Sequence, residues 1–142
     1  MAAKASALTE RVSLSYASHE FEPAELLNFV RLDGFTQDWK RLRLTDQDMK
    51  ALRVLIATAP LTAPVIRGTG GLRKVRFSPP KSHRGKSSGV RVCYAYYPAY
   101  CIVLLTHAYP KNRKDDLSPA ECVAIRKALK GFERRLGKGP LH

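Results

Sequence analysis

The chain has 142 residues, of which 44% are hydrophobic and 8% aromatic. This length and composition exclude a disordered protein and predict one globular domain. No apolar run approaches the roughly 20 residues of a membrane span, and the N-terminus lacks the apolar core of a signal peptide. We therefore expect a soluble, cytoplasmic protein.

The formal net charge of +13 belongs to one part of the chain. Residues 1–60 carry 8 basic and 8 acidic residues, whereas residues 61–142 carry 17 Lys and Arg against 4 acidic residues. Such a field attracts nucleic acid through counterion release, or a strongly acidic protein. An anionic membrane is a weaker candidate, because no predicted helix pairs a basic face with exposed Trp or Phe.

The cysteines do not indicate a metal site. Cys93, Cys101 and Cys122 are odd in number and lack metal-ligand spacing. Cys93 and Cys101 flank a predicted hairpin and could lie close together, but a cytosolic protein keeps its thiols reduced. We expect buried thiols and no disulfide.

The first elements follow an irregular N-terminus. Residues 1–25 show no sustained hydrophobic period, so we expect a loose extension, disordered in part, ahead of a single domain at 26–142. A strand is predicted at 27–32, closed by an Asp-Gly turn.

Two helices are predicted next. Residues 35–42 place Phe35, Trp39 and Leu42 at helical spacing. A second helix begins at the N-cap Thr45, with acidic residues in its first turn, and Pro60 ends it. We expect these helices to form a hairpin that covers a sheet.

From residue 65 onward the pattern changes to strands. Residues 72–77, 90–97 and 100–107 are rich in β-branched and aromatic residues and are bounded by turn signals. Pro98-Ala99 fits a tight connection, which makes the last two strands an antiparallel pair. Residues 102–105 are apolar on both faces and predict the central strand.

A helix closes the chain. Ser118 and Glu121 form a capping box with Pro119 at the first helical position, and Gly137 ends the helix. The predicted fold class is α+β: a helical hairpin on a small twisted antiparallel sheet of about four strands, plus this C-terminal helix.

Four segments of the chain resemble the toxins of the RelE/HigB group. The likeness extends over roughly residues 28–135, in order and with the spacing of that group, and its motifs lie at 66–77, 85–92, 104–112 and 116–121. The resemblance implies a RelE-like fold and a type II toxin that a tightly bound antitoxin inhibits. Such toxins cut messenger RNA on the ribosome, at the decoding site, without a metal or cofactor. A monomeric toxin that forms a hetero-oligomer with its antitoxin is implied as well.

The chain departs from the pattern of the group at two positions. Val90 stands where an aromatic residue is usual, and Pro110 stands where a small residue is usual. Pro110 also removes a backbone donor beside Lys111, which bears on the placement of that lysine.

Metal-free RNA cleavage needs a base for the 2′-hydroxyl, positive charge on the phosphate and a proton for the leaving oxygen. The histidines are scattered along the chain, and only His107 lies near Tyr109 and Lys111. A cluster of cations is the alternative, because a lysine crowded by arginines loses its proton more readily than one in water.

The predicted catalytic set is such a cluster. Arg73, Lys74, Arg76 and Arg91 lie on neighbouring strands, where their repulsion serves no purpose in folding. Strand alternation puts Lys74 and Arg76 on one face and Arg73 on the other. By resemblance, Lys74 is the base, Arg76 and Arg91 hold the scissile phosphate, and Lys111 or Tyr109 protonates the leaving group.

A second set of residues is predicted to bind RNA without reading its sequence. An exposed basic loop at 79–86 supplies several of them. The set comprises Arg73, Lys81, Arg84, Lys86, Asn112 and Arg113.

Other functions fit the same composition. A non-catalytic relative acting as a DNA gyrase poison, or a basic RNA-binding module, would carry a similar charge. Neither requires a cluster of cations centred on one phosphate. For the toxin, we expect the antitoxin to cover the sheet or the last helix with an acidic or apolar segment.

Overall fold

The computed structural model describes residues 12–14, 19–21, 26–80, 89–113 and 117–138. Within these ranges the chain has the predicted α+β composition, with three α-helices and a four-stranded sheet beside a separate pair of short strands. The strands are β1 (Val12–Leu14), β2 (His19–Phe21), β3 (Asn28–Arg31), β4 (Arg73–Phe77), β5 (Val90–Tyr97) and β6 (Ile102–Pro110). The helices are α1 (Asp33–Arg41), α2 (Asp46–Thr58) and α3 (Pro119–Gly137).

The four-stranded sheet is mixed, so the prediction of an antiparallel sheet is wrong at one edge. The strand order is β3-β6-β5-β4, and β4, β5 and β6 are antiparallel as predicted. β3, however, runs parallel to β6, with Asn28 opposite Ile102 and Arg31 opposite Leu105. Parallel neighbours need a long crossover connection, and the helices together with the β4–β5 hairpin supply it.

β6 continues to Pro110, beyond the predicted end at His107. The Lys111 amide donates to the Gly89 carbonyl at 3.1 Å, which makes these two residues a hydrogen-bonded pair. Val90 and Pro110 form the next pair, where the backbone donors of an antiparallel ladder point away from the partner strand. Pro110 therefore costs the β5–β6 ladder no hydrogen bond, and the strand passes through it.

The N-terminal extension contains a short ladder that the sequence pattern did not predict. β1 pairs with β2 in antiparallel register, with Val12 opposite Phe21. The rest of the predicted extension lies outside the described residues.

α1 and α2 pack on one face of the sheet. Trp39 stacks between Phe35 and Phe77, with ring centroids 5.4 and 6.0 Å away. The Trp39 Nε1 atom donates to the Thr45 carbonyl, which joins α1 to the start of α2. Thr45 caps α2 as predicted, and Asp48 completes a capping box. We call this side of the sheet the packed face.

α3 lies on the opposite face. Its capping box at Ser118 and Glu121 is present as predicted. Leu129 is buried, and the Tyr97 ring packs against Phe132 at 5.4 Å between centroids. The Tyr97 hydroxyl donates to the Leu129 carbonyl at 3.1 Å, which fixes the helix to β5.

Cys93 is buried as predicted, whereas Cys101 and Cys122 are only half-buried. No disulfide joins these three residues. In the described parts of the chain, none of the helices has the length and apolar character that a membrane span requires.

Candidate functional site: a basic face on the sheet

Three of the predicted catalytic side chains form one row across the sheet. Arg76 lies opposite Arg91, and Arg91 lies opposite Tyr109. Residues paired in this way have Cα atoms about 4.5–5.5 Å apart, with their side chains on the same face. Arg76 is exposed, and Arg91 and Tyr109 are half-buried. A single phosphate group fits the reach of both guanidinium groups.

A second row lies two residues along each strand. Lys74 is opposite Cys93, and Cys93 is opposite His107. The buried thiol of Cys93 forms the floor between two longer side chains. Tyr109 extends back over this floor, since its hydroxyl lies 4.0 Å from the Cys93 Sγ atom.

Lys111 joins the same face at the end of β6. A β-carbon placed on Gly89 would lie 3.5 Å from the Cδ atom of Lys111, so the lysine stem passes over that glycine. The lysine stem thus lies against Gly89, its partner across the strands, next to the arginine row. We define the basic face as Lys74, Arg76, Arg91, Tyr109 and Lys111; the structure brings together these five residues, which are the predicted catalytic set.

The two departures from the RelE/HigB pattern lie away from this face. Val90 is buried in the core beneath α1 and α2. Pro110 is its partner across the strands and shares its side of the sheet. Neither side chain belongs to the basic face.

α3 occupies the remainder of the same side of the sheet, and the glycine turn before β4 holds it there. Gly68 and Gly70 adopt positive φ angles of 83° and 77°. The Arg126 guanidinium donates to the Gly68 carbonyl at 2.8 Å, and a β-carbon on Gly70 would lie 3.0 Å from the Cγ atom of Arg126. The glycines therefore serve the docking of α3.

The predicted RNA-binding residues do not all join the basic face. Arg73 points to the packed face, and its guanidinium donates to the carbonyls of Leu61 and Ala63 at 3.0 and 2.7 Å. These bonds tie down the segment after α2. Arg113 lies over the Tyr109 ring, 5.5 Å from its centroid. Asn112 is exposed in the same turn; Lys81, Arg84 and Lys86 lie outside the described residues.

His107 reaches the side of the basic face because of a β-bulge. The register of β5 against β6 shifts between Cys93 and Tyr94, whose partners are His107 and Leu105, so Thr106 is the additional residue. Leu105 packs on the packed face. Simple alternation from Leu105 would therefore put His107 on the packed side too, and the bulge turns it to the other side.

Burial lowers the pKa of His107 from its ordinary value, and Arg113 acts in the same direction. Asp38 and Glu121 oppose them by favouring the charged ring. Asp38 itself accepts a hydrogen bond from the Ala108 amide at 3.0 Å, at a point where the pairing of β3 with β6 has already ended. The net effect favours a neutral imidazole.

A groove with a volume of about 520 Å³ adjoins the basic face. The end of α2 and the segment that follows it form one wall, and β4 and β5 form the other. Its lining combines aliphatic side chains with cations of the basic face: Leu55, Ile56, Ala63, Lys74, Val75, Arg76 and Arg91 are among the lining residues.

No protein-family model matches the chain. Among the described residues, no cluster of three or more His, Cys, Asp and Glu side chains is arranged to hold a metal ion.

Proposed function

We propose that this protein is a ribosome-dependent endoribonuclease, the toxin of a type II toxin–antitoxin system with a RelE-like fold. The observation that carries the proposal is the row of Arg76, Arg91 and Tyr109 beside Lys74 on one face of the sheet. Like charges directly opposite each other destabilise a sheet. A bound phosphate would relieve that repulsion, whereas folding alone gives no reason to place these like charges opposite each other.

The proposed reaction is transfer of the phosphate within the RNA. The 2′-oxygen forms a bond to phosphorus and the bond to the 5′-oxygen breaks, which leaves a 2′,3′-cyclic phosphate and a 5′-hydroxyl. Arg76 and Arg91 bind the non-bridging oxygens, where guanidinium groups donate charge-assisted hydrogen bonds. Positive charge fixed there before the reaction stabilises the phosphorane more than the ground state.

Two proton transfers accompany this step, one from the 2′-hydroxyl and one to the 5′-oxygen. Lys74 is one proton carrier of the site. The resemblance implies Tyr109 or Lys111 as the donor of the leaving-group proton, and Tyr109 lies in the arginine row itself.

The groove supports an antitoxin as the second partner. Four aliphatic side chains on α2 and the segment after it are between 41 and 54% exposed, and one of them, Leu55, lines the groove; the others are Val54, Leu61 and Val65. Aliphatic surface beside three cations suits a segment that alternates apolar and acidic residues. Such a segment would bind next to the phosphate site and compete with RNA for it.

The test is toeprinting of a messenger RNA on ribosomes with wild type, Arg91→Ala and Arg135→Ala. Arg135 is exposed on α3, away from the basic face. Its variant therefore removes one positive charge, as Arg91→Ala does, without touching the proposed phosphate site. We expect decoding-site cleavage by wild type and by Arg135→Ala. Loss of one charged donor from the phosphate site is expected to slow cleavage about 10²–10³-fold in Arg91→Ala.

Two other outcomes would overturn this proposal. An intact message with all three proteins would indicate a basic binding module, and supercoiling by DNA gyrase would be assayed next. Equal cleavage by wild type and Arg91→Ala would exclude the arginine row as the phosphate site.

A further inference from the structure

The β-bulge at Thr106 does more than turn His107 to the basic side of the sheet, because it also fixes which ring nitrogen carries the proton. The Thr106 hydroxyl lies 3.1 Å from the Cys93 carbonyl and 2.8 Å from the His107 Nδ1 atom. A carbonyl oxygen only accepts hydrogen bonds, so the single hydroxyl proton is directed to Cys93. The hydroxyl must then accept from His107, whose Nδ1 atom is the donor.

A neutral imidazole has one donor and one acceptor nitrogen. With the proton held on Nδ1, the Nε2 atom of His107 carries a lone pair. The ring is half-buried, and burial disfavours its charged form. The bulge, the threonine and the burial therefore all favour a ring that is ready to accept a proton at Nε2.

The position of the ring matches the geometry of phosphate transfer. His107 and Lys74 lie on either side of Cys93 in the second row. Two strand spacings separate their Cα atoms by about 9.5 Å. The attacking and leaving oxygens of a phosphoryl transfer lie roughly in line, on opposite sides of phosphorus. Proton carriers on opposite sides of the Cys93 floor serve those two oxygens.

We propose that His107 is the base of the reaction, a role that rests on the proposed endoribonuclease function. The Nε2 atom takes the proton of the 2′-hydroxyl as the 2′-oxygen bonds to phosphorus. In this assignment Lys74, as an ammonium group on the far side of Cys93, takes the place of Tyr109 and Lys111 and gives a proton to the 5′-oxygen as its bond to phosphorus breaks. Solvent then carries the proton from His107 back to Lys74. Thr106 is a positioning residue that acts through the ring.

Several titratable and charged groups act on the ring. Asp38 of α1 and Glu121 of α3 favour protonation, whereas Arg113 in the turn after β6 disfavours it. Cys93 faces the ring across the strands, and Tyr109 is its neighbour on β6. The acidic limb of the pH–rate profile is thus expected below the ordinary pKa of histidine, because burial and Arg113 act together.

The first experiment needs no activity. Long-range ¹H–¹⁵N correlation spectra of the full chain report which imidazole nitrogen is protonated, and a pH series gives the ring pKa. We expect the Nδ1–H tautomer in wild type and its loss in Thr106→Val, which removes the accepting hydroxyl at nearly constant volume. An Nε2–H tautomer in wild type would overturn the assignment of the base.

The second experiment measures single-turnover cleavage on the ribosome across pH. His107→Ala is expected to lower the rate about 10²–10⁴-fold, the usual contribution of a general base. Its acidic limb should disappear, and added imidazole should restore part of the rate. Thermal melts of the same samples show that the variant is folded, and His107→Gln provides a second, bulkier replacement.

The role of His107 and the nuclease function can be overturned separately. Full activity of His107→Ala, or an unchanged acidic limb, would overturn the role of His107 and leave the nuclease intact. An inactive wild-type protein would overturn the nuclease itself, and the role of His107 with it.

Discussion

The two faces of the sheet are built on opposite principles. On the packed face, Val92, Val103 and Leu105 have no exposed surface, and two helices cover them. On the other face, α3 covers one part, and the rest presents arginine, lysine, histidine and tyrosine side chains. The same strands supply both faces, because alternate side chains point in opposite directions.

This difference separates stability from chemistry. The packed face buries aromatic and aliphatic groups, the largest source of folding free energy. The basic face gathers like charges, which works against folding. A substitution on the packed face should therefore lower the folded fraction, whereas one on the basic face should change binding and cleavage without lowering the melting temperature.

The largest effect is expected for Trp39→Ala on the packed face. Trp39 is 6% exposed and stacks on two aromatic rings. Loss of a large buried aromatic side chain costs about 3–5 kcal/mol of unfolding free energy. Urea denaturation followed by circular dichroism measures it. Arg91→Ala is the matched variant of the other face, and a loss in Arg91→Ala as large as that in Trp39→Ala would contradict the separation.

Much of the packed face could be predicted from the sequence, because local patterns encode it. Thr45 begins α2 as predicted, and Phe35 and Trp39 are buried as their helical spacing indicates. The parallel pairing of β3 with β6 could not be predicted, since strand direction depends on where distant segments meet.

The five residues of the basic face could be predicted, but the placement of His107 beside them could not. Alternation is enough to put Lys74 and Arg76 on one side of β4. The position of His107 depends on the bulge at Thr106, and one additional residue in a strand leaves no pattern in the sequence. Arg73 likewise reads as one more cation, and only the structure reveals its bonds to Leu61 and Ala63.

Two tyrosines offer a narrower comparison of the faces. The Tyr94 hydroxyl donates to the Pro60 carbonyl at 2.8 Å on the packed face, where Tyr94 is 1% exposed. Tyr97 is half-buried and donates to the Leu129 carbonyl on the other face. Tyr94→Phe should cost about 1–3 kcal/mol, because the carbonyl is left unsatisfied in the core. Tyr97→Phe should cost less, since Tyr97 is only half-buried and the Leu129 carbonyl lies within α3, where the amide four residues on also bonds to it.

Alkaline denaturation checks the same pair. Burial raises the pKa of both Tyr94 and Tyr97 to about 12. Each raised pKa contributes stability that is fully present below pH 10, the ordinary tyrosine value, and is lost as the pH rises towards 12. Removing Tyr94 should flatten this fall of stability with pH. Equal losses of unfolding free energy in Tyr94→Phe and Tyr97→Phe would contradict this difference between the two hydrogen bonds.

The smallest expected effect tests most directly how much unfolding free energy is lost through the like charges of the basic face. Arg76 and Arg91 lie opposite each other on adjacent strands, and like charges so placed destabilise a sheet by about 0.2–1 kcal/mol. Arg76→Gln should therefore raise the unfolding free energy by that amount at low salt while it slows cleavage. The gain should shrink as salt is added, because ions screen the repulsion in wild type.

Arg135→Gln removes the same charge from the exposed side of α3 and supplies the control for net charge alone. A stabilisation common to both variants would belong to the net charge of +13. A gain confined to Arg76→Gln would mean that the fold retains an unfavourable contact between two strands, which is expected of the proposed phosphate site.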